Sequence, residues 1–154
     1  SVPNPNEVAY EPIQRMVDIM KPKIKENIEN SKPIIISTGG DRRIIGKKAL
    51  FEYINNTFDG KVENLVNENY TFTDLASRFI NAKIAISFSS DEMSLIPFMK
   101  PGSIYIEIQD SRIVSHNVLL AQSFGLDVRI ISISDFNVSK AVLKNVTRII
   151  KKNL

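Results

Sequence analysis

The run Lys32-Pro33-Ile34-Ile35-Ile36-Ser37-Thr38 limits what this chain can fold into more than any other feature. Three consecutive β-branched residues lose side-chain freedom in a helix and pack well on a pleated surface. An apolar run that is continuous rather than alternating marks a strand covered on both faces, as in parallel sheets. Further strands are expected at Val62–Val66, Ala82–Phe88, Ser103–Ile108 and Val128–Ile133. Segments at helical spacing separate these runs. Ala49, Leu50, Tyr53 and Ile54 follow the first, and Phe72, Leu75, Ala76 and Phe79 follow the second. A short helix is expected over 91–99, and another over 114–124, ending at Gly125. A last helix is expected from about 136 to 152, capped by Asp135 or Ser139 and lysine-rich at its end. Ahead of the first strand, residues 1–7 read as an irregular lead-in. Ile13, Met16, Val17 and Met20 then form a helical stripe that Pro22 kinks or splits before Ile24 and Ile28. Strands alternating with helices imply right-handed crossovers and an α/β fold. The expectation is a Rossmann-like three-layer α/β/α sandwich with about five mostly parallel strands, forming one domain over 1–154.

A chain of 154 residues with 43% hydrophobic and 24% charged content can bury a sizeable core in one domain. The net charge of +3 and the absence of aromatic-interleaved basic stripes argue against a nucleic-acid binder. Without cysteine there is no disulfide framework, thiolate metal site or cysteine nucleophile. No apolar run approaches a membrane span, and no signal peptide is visible. The chain opens on Ser1, which reads as a processed or excised piece. Acceptor triplets for N-glycosylation at Asn55, Asn69, Asn137 and Asn145 fit chance occurrence in an Asn-rich chain. The single histidine, His116, sits near a helix start. It offers no triad or metal cluster, so the sequence nominates no catalytic residue and no metal ligand.

Ligands of open α/β sheets bind outside the carboxyl ends of the strands, and three such ends carry polar residues. Thr38, Gly39, Gly40, Arg42 and Arg43 follow the first strand. Glycines permit close backbone approach, a helix start offers free N–H groups, and arginine grips phosphate bidentately. A plain turn with two solvated arginines is the other reading. Ser87, Ser89 and Ser90 follow the third strand, where they are either hydrogen-bond donors to a nucleotide or helix caps. Asp91 and Glu92 already occupy the positive helix end there, which weighs against a phosphate. Glu107 ends the fourth strand, placed either to accept from ribose hydroxyls or to pair with a surface lysine.

Four segments in order resemble the C-terminal region of glycosyltransferase family 61. IIISTGGDRRIIGKKAL (34–50) resembles the family's strand and arginine-rich turn. Glu68 followed by FTDLASRFINAKIAI (72–86) resembles its acidic residue, helix and Ala-x-Val strand, with Phe72, Asp74, Phe79 and Ala82 in matching places. IPFMKPGSIYIEI (96–108) keeps its Phe-Met-x-Pro-Gly-Ser stretch, and HNVLLAQSFGLDVRIISI (116–133) its closing helix and strand.

The resemblance implies the C-terminal lobe of a GT-B fold that binds a UDP-sugar. An N-terminal lobe would supply the acceptor and the base, and the transfer would be inverting, without a catalytic metal or other cofactor. Arg42 and Arg43 would meet the pyrophosphate and Glu107 the ribose. The departures lie in the loops. Ser89-Ser90-Asp91-Glu92 stands where the family has His-Gly-Ala-Gly, Gly46-Lys47 where it has Asn-Glu, and Leu95 where it has Asn. These changes motivate an alternative: a diverged, inactive glycosyltransferase-like domain that binds a protein partner or another ligand. An unrelated flavodoxin-like module sharing only the sheet pattern is a third possibility.

Overall fold

The computed structural model describes residues 5–24, 31–66, 70–88, 91–110 and 115–154. Five strands form one sheet: β1 (Ile34–Ser37), β2 (Val62–Asn64), β3 (Ile84–Ser87), β4 (Ile104–Gln109) and β5 (Asp127–Ser132). Their order is β2-β1-β3-β4-β5, and every pairing is parallel. The chain winds outward from β1 to β2, returns to β3, then continues the other way. The topological switch point therefore falls between β1 and β3.

The helices are α1 (Pro5–Met20), α2 (Lys47–Thr57), α3 (Phe72–Asn81), α4 (His116–Ser123) and α5 (Lys140–Asn153), with 3₁₀ turns at Lys21–Lys23 and Asp91–Phe98. Strand alternation sends successive side chains to opposite faces. Ile34, Ile36, Ile84, Ile86, Ile104, Ile106 and Ile108 join Leu50 and Ile54 of α2 and Val146 and Ile150 of α5 in one core. On the other face, Ile35, Ala85 and Tyr105 join Val17 of α1, Phe79 of α3, Phe98 and Val118 of α4. The three-layer α/β/α sandwich is thus present, and the sheet is wholly parallel. Leu95, where the resemblance expects Asn, is buried in this second core.

Local chemistry sets the helix starts. Thr71, Ser115 and Ser139 each accept a hydrogen bond from the backbone N–H three residues on, at 3.1, 3.1 and 3.4 Å. Two expectations need correction. Residues 5–7 are helical rather than irregular, because proline at the first helical position has φ pre-set for a helix. Residues 1–4 lie outside the described residues. The last helix begins at Lys140, later than expected, with Ser139 as its cap. Asp135 does not cap it: Asp135 and Phe136 have φ of 53° and 51°, inside a turn that Ser134 and Asn137 close. The helix–kink–helix at Pro22 resolves as α1 ending at Met20 and a 3₁₀ turn holding Pro22; Ile28 lies outside the described residues.

Candidate functional site

The carboxyl ends of β1, β3 and β4 bring together the loop that leaves β1 and the buried residues Ser87 and Glu107. Register does part of this work. Ser37 lies beside Ser87, and Ser87 beside Glu107. All three side chains are fully buried, making a polar row at the end of an otherwise apolar sheet. Sequence positions 37, 87 and 107 come together because the parallel register aligns the last residues of β1 and β3 with Glu107, two residues before β4 ends.

The loop 38–46 is held from several sides. Thr38 donates its backbone N–H to Asn64 Oδ1 (3.3 Å), and Asn64 Nδ2 donates to Thr38 Oγ1 (2.9 Å), tying β1 to β2. Gly40 has φ of 85°, a conformation other residues avoid. Asp41 donates its backbone N–H to Phe88 O at 3.4 Å, which links the loop to the end of β3. Lys47 Nζ donates to the carbonyls of Gly39 (3.2 Å) and Asp41 (2.8 Å), closing the turn from below. Burial lowers the pKa of this ammonium, and the neighbouring Asp41 opposes the shift.

The two arginines differ. Arg43 forms a two-point pair with Asp41, Nε to Oδ1 at 3.0 Å and Nη2 to Oδ2 at 2.9 Å, and its guanidinium lies 4.5 Å over the Phe136 ring. The hydrogen bonds from Arg43 hold the Asp41 carboxyl below its ordinary pKa. Arg42 is exposed and has no hydrogen-bond or ion-pair partner among the described residues. Phe136 is positioned in turn by its backbone N–H, which donates to Asp110 Oδ1 (3.0 Å), and by its carbonyl, which accepts from Ile45 N (2.7 Å). The loops after β1, β4 and β5 therefore form one connected rim.

Glu107 is the most enclosed acid among the described residues. Its Oε1 accepts from Tyr105 Oη (2.8 Å) and from Ser115 Oγ (2.6 Å), the capping side chain of α4. Its Oε2 is buried without a hydrogen-bond partner. Tyr105 also bonds Ser87 and Asn117, and burial, reinforced by the Glu107 charge, drives its phenol pKa far upward. Glu107 therefore faces a tyrosine–serine–asparagine cluster rather than a surface lysine.

Ser89 and Ser90 lie outside the described residues. His116 is the exposed first residue of α4. Among the described residues no group of acidic or histidine side chains is arranged to hold a metal ion. No helix among them is long and apolar enough to cross a membrane. Reading the sequence missed Lys47, Asn64, Tyr105, Ser115 and Phe136 as members of this rim. The i, i+2 spacing of Tyr105 and Glu107 and the Ser115–Val118 cap spacing were signals for two of them. Nothing local signals that Phe136 lies under Arg43.

A doubly wound parallel sheet with an anchored loop and a buried acid at its strand ends defines a Rossmann-like α/β domain. The family described as Glycosyltransferase 61 matches residues 2–106 of the 154. The chain belongs to that family and is a glycosyltransferase-like domain. The matched stretch spans β1, β2, β3 and the first half of β4, and ends one residue before Glu107. No curated protein matches the chain.

Proposed function

We propose that this domain is the nucleotide-sugar-binding lobe of an inverting transferase of the GT-B kind, with its donor across the carboxyl ends of β1, β3 and β4. The observation that carries the reading is the convergence, at the switch point of a family 61 domain, of the anchored Thr38–Arg43 loop with Ser87 and Glu107. Such crevices are where doubly wound sheets take nucleotides. In this reading the donor is a UDP-sugar. Its pyrophosphate lies against Thr38, Gly39, Gly40 and Arg42, with Arg43 joining once Asp41 releases it. Ser87 is the candidate on the β3 side, and Ser89 and Ser90, which lie outside the described residues, are proposed with it from the sequence alone. Glu107 Oε2, the unpaired buried oxygen, would accept from a ribose hydroxyl once ligand entry opens the surroundings that enclose it.

Transfer itself is a displacement. The acceptor hydroxyl oxygen attacks the anomeric carbon, the bond to the β-phosphate oxygen breaks, and UDP departs with the electron pair. The cations of the loop would stabilise the charge growing on the diphosphate. No residue of this domain is assigned as the general base for the acceptor proton. The base and the acceptor site would come from an N-terminal lobe or partner, so the domain does not turn over alone.

Calorimetric titration of UDP, UDP-N-acetylglucosamine and UDP-xylose, with and without Mn²⁺, tests this. Saturable binding that is lost in Arg42→Ala/Arg43→Ala is expected. Absence of binding at millimolar ligand would overturn it and favour the diverged, inactive domain that serves a protein partner.

A further inference from the structure

The two edges of the sheet differ. β2 is three residues long, and shortness protects an edge strand from further pairing. β5 has six residues, no proline and no glycine, and it pairs with β4 along its whole length. Asp127 N donates to Ser103 O (2.9 Å) and Ile133 N to Gln109 O (3.0 Å), so the odd-numbered residues point their N–H groups at β4. By the alternation of a strand, Val128, Ile130 and Ser132 turn their N–H and C=O groups to the open edge. Ile130 is 46% exposed there.

Beside this edge lies a cleft of about 590 Å³ whose far wall is α5, with Arg148 and Lys152. α5 carries five cationic side chains, Lys140, Lys144, Arg148, Lys151 and Lys152, and no acid. The whole chain has a net charge of only +3, so the rest is net acidic by two. The positive charge is therefore concentrated on the helix that walls the cleft.

We propose that the open edge of β5 docks an extended segment of a partner protein in which acidic and apolar residues alternate. Backbone groups of Val128, Ile130 and Ser132 would pair with the added strand. Its side chains on the α5 face would meet Arg148 and Lys152, and those on the other face would continue the surface of Val128 and Ile130. A second copy of this chain does not suit the site, because edge-to-edge pairing would bring two cationic α5 walls together.

The test is NMR titration of the ¹⁵N-labelled chain with a short capped peptide of alternating Glu and Val, against its Lys/Val counterpart. The Glu/Val peptide is expected to shift the amides of Val128, Ile130 and Ser132 and of α5 near Arg148, and to weaken with salt. Ile130→Pro removes an outward N–H without touching the β4 ladder, so the fold should persist while binding is lost. Arg148→Glu/Lys152→Glu, at surface positions, should weaken binding about tenfold or more. Equal binding of the Lys/Val peptide, shifts confined to α5, unmoved β5 amides at millimolar peptide, or undiminished binding by Ile130→Pro would each overturn the proposal.

Discussion

Tyr105→Phe removes one oxygen from the buried cluster around Glu107, and its consequence can be worked out at two pH values. At neutral pH the variant loses the 2.8 Å hydrogen bond to Glu107 Oε1 and the phenol's bonds with Ser87 and Asn117, while Ser115 still donates to Glu107 Oε1. Hydrogen bonds to charged groups contribute ~1.5–3 kcal/mol, so a loss of about 2 kcal/mol is expected. The alkaline limb has a definite sign. Burial and the Glu107 charge raise the folded-state pKa of the phenol far above its ordinary value. The unfolded phenol ionises near pH 10, which the folded one resists. The folded state therefore keeps a proton that the unfolded state gives up, and stability falls as pH rises above about 10. At pH 11 this loss amounts to about 1.4 kcal/mol, and Tyr105→Phe is exempt from it. Urea unfolding of both proteins at pH 8 and pH 11 reads the difference directly, because every other titrating group is common to the two. The gap between them should shrink from about 2 kcal/mol to well under 1 kcal/mol. A gap that stays constant across this range would show that the phenol is not held neutral. A gap near zero at pH 8 would show that the hydrogen bonds of the buried phenol contribute nothing net.

Other outcomes follow from the rim and the turns. Gly46 has φ of 93°, and a Cβ there would sit 3.2 Å from Val138 Cβ, whereas Gly102, at φ of 87°, has open space around it. Both alanine variants should cost about 1–2 kcal/mol from backbone strain, with Gly46→Ala the worse; equal melting temperatures would refute the contact at Val138. Asp41 has a depressed pKa, so the stability it contributes is present above the ordinary carboxyl pKa and lost as pH falls through the lower folded value. Asp41→Asn should therefore differ from the parent at pH 6 and converge with it in strong acid, as followed by chemical denaturation; a difference undiminished at pH 2 would contradict the ion pair with Arg43. Phe79→Ala empties a fully buried site between α3 and the sheet and should cost about 3–5 kcal/mol in thermal or urea unfolding; a cost under about 1 kcal/mol would contradict the packing.

The strands were legible because their cause is local. Ile34, Ile35 and Ile36 disclose a strand buried on both faces by composition alone, and β3 and β4 follow the same rule. β5 was found by the same apolar content, although it lies at an edge with four of its six residues exposed. Caps at Thr71, Ser115 and Ser139 are local too, since each needs only a hydroxyl and the N–H three residues on. The start of α5 was misjudged because the turn at Asp135 and Phe136 is held by partners distant in sequence, Ile45 and Asp110.

The candidate rim divides along the same line. The sequence by itself determined the parallel α/β frame, the family, and the polar character of the loops after β1, β3 and β4. Periodicity, β-branching and motif order are carried by neighbouring residues, so one dimension suffices for them. The tertiary structure alone decided which of those polar groups meet. Strand order set the switch point between β1 and β3, and register aligned Ser37, Ser87 and Glu107. Packing engaged Arg43 with Asp41 and Phe136 while leaving Arg42 exposed. It also left one oxygen of Glu107 without a partner. Apart from the Arg43–Asp41 pair, these meetings join residues tens of positions apart, and they depend on distances that exist only after the sheet has closed around its two cores.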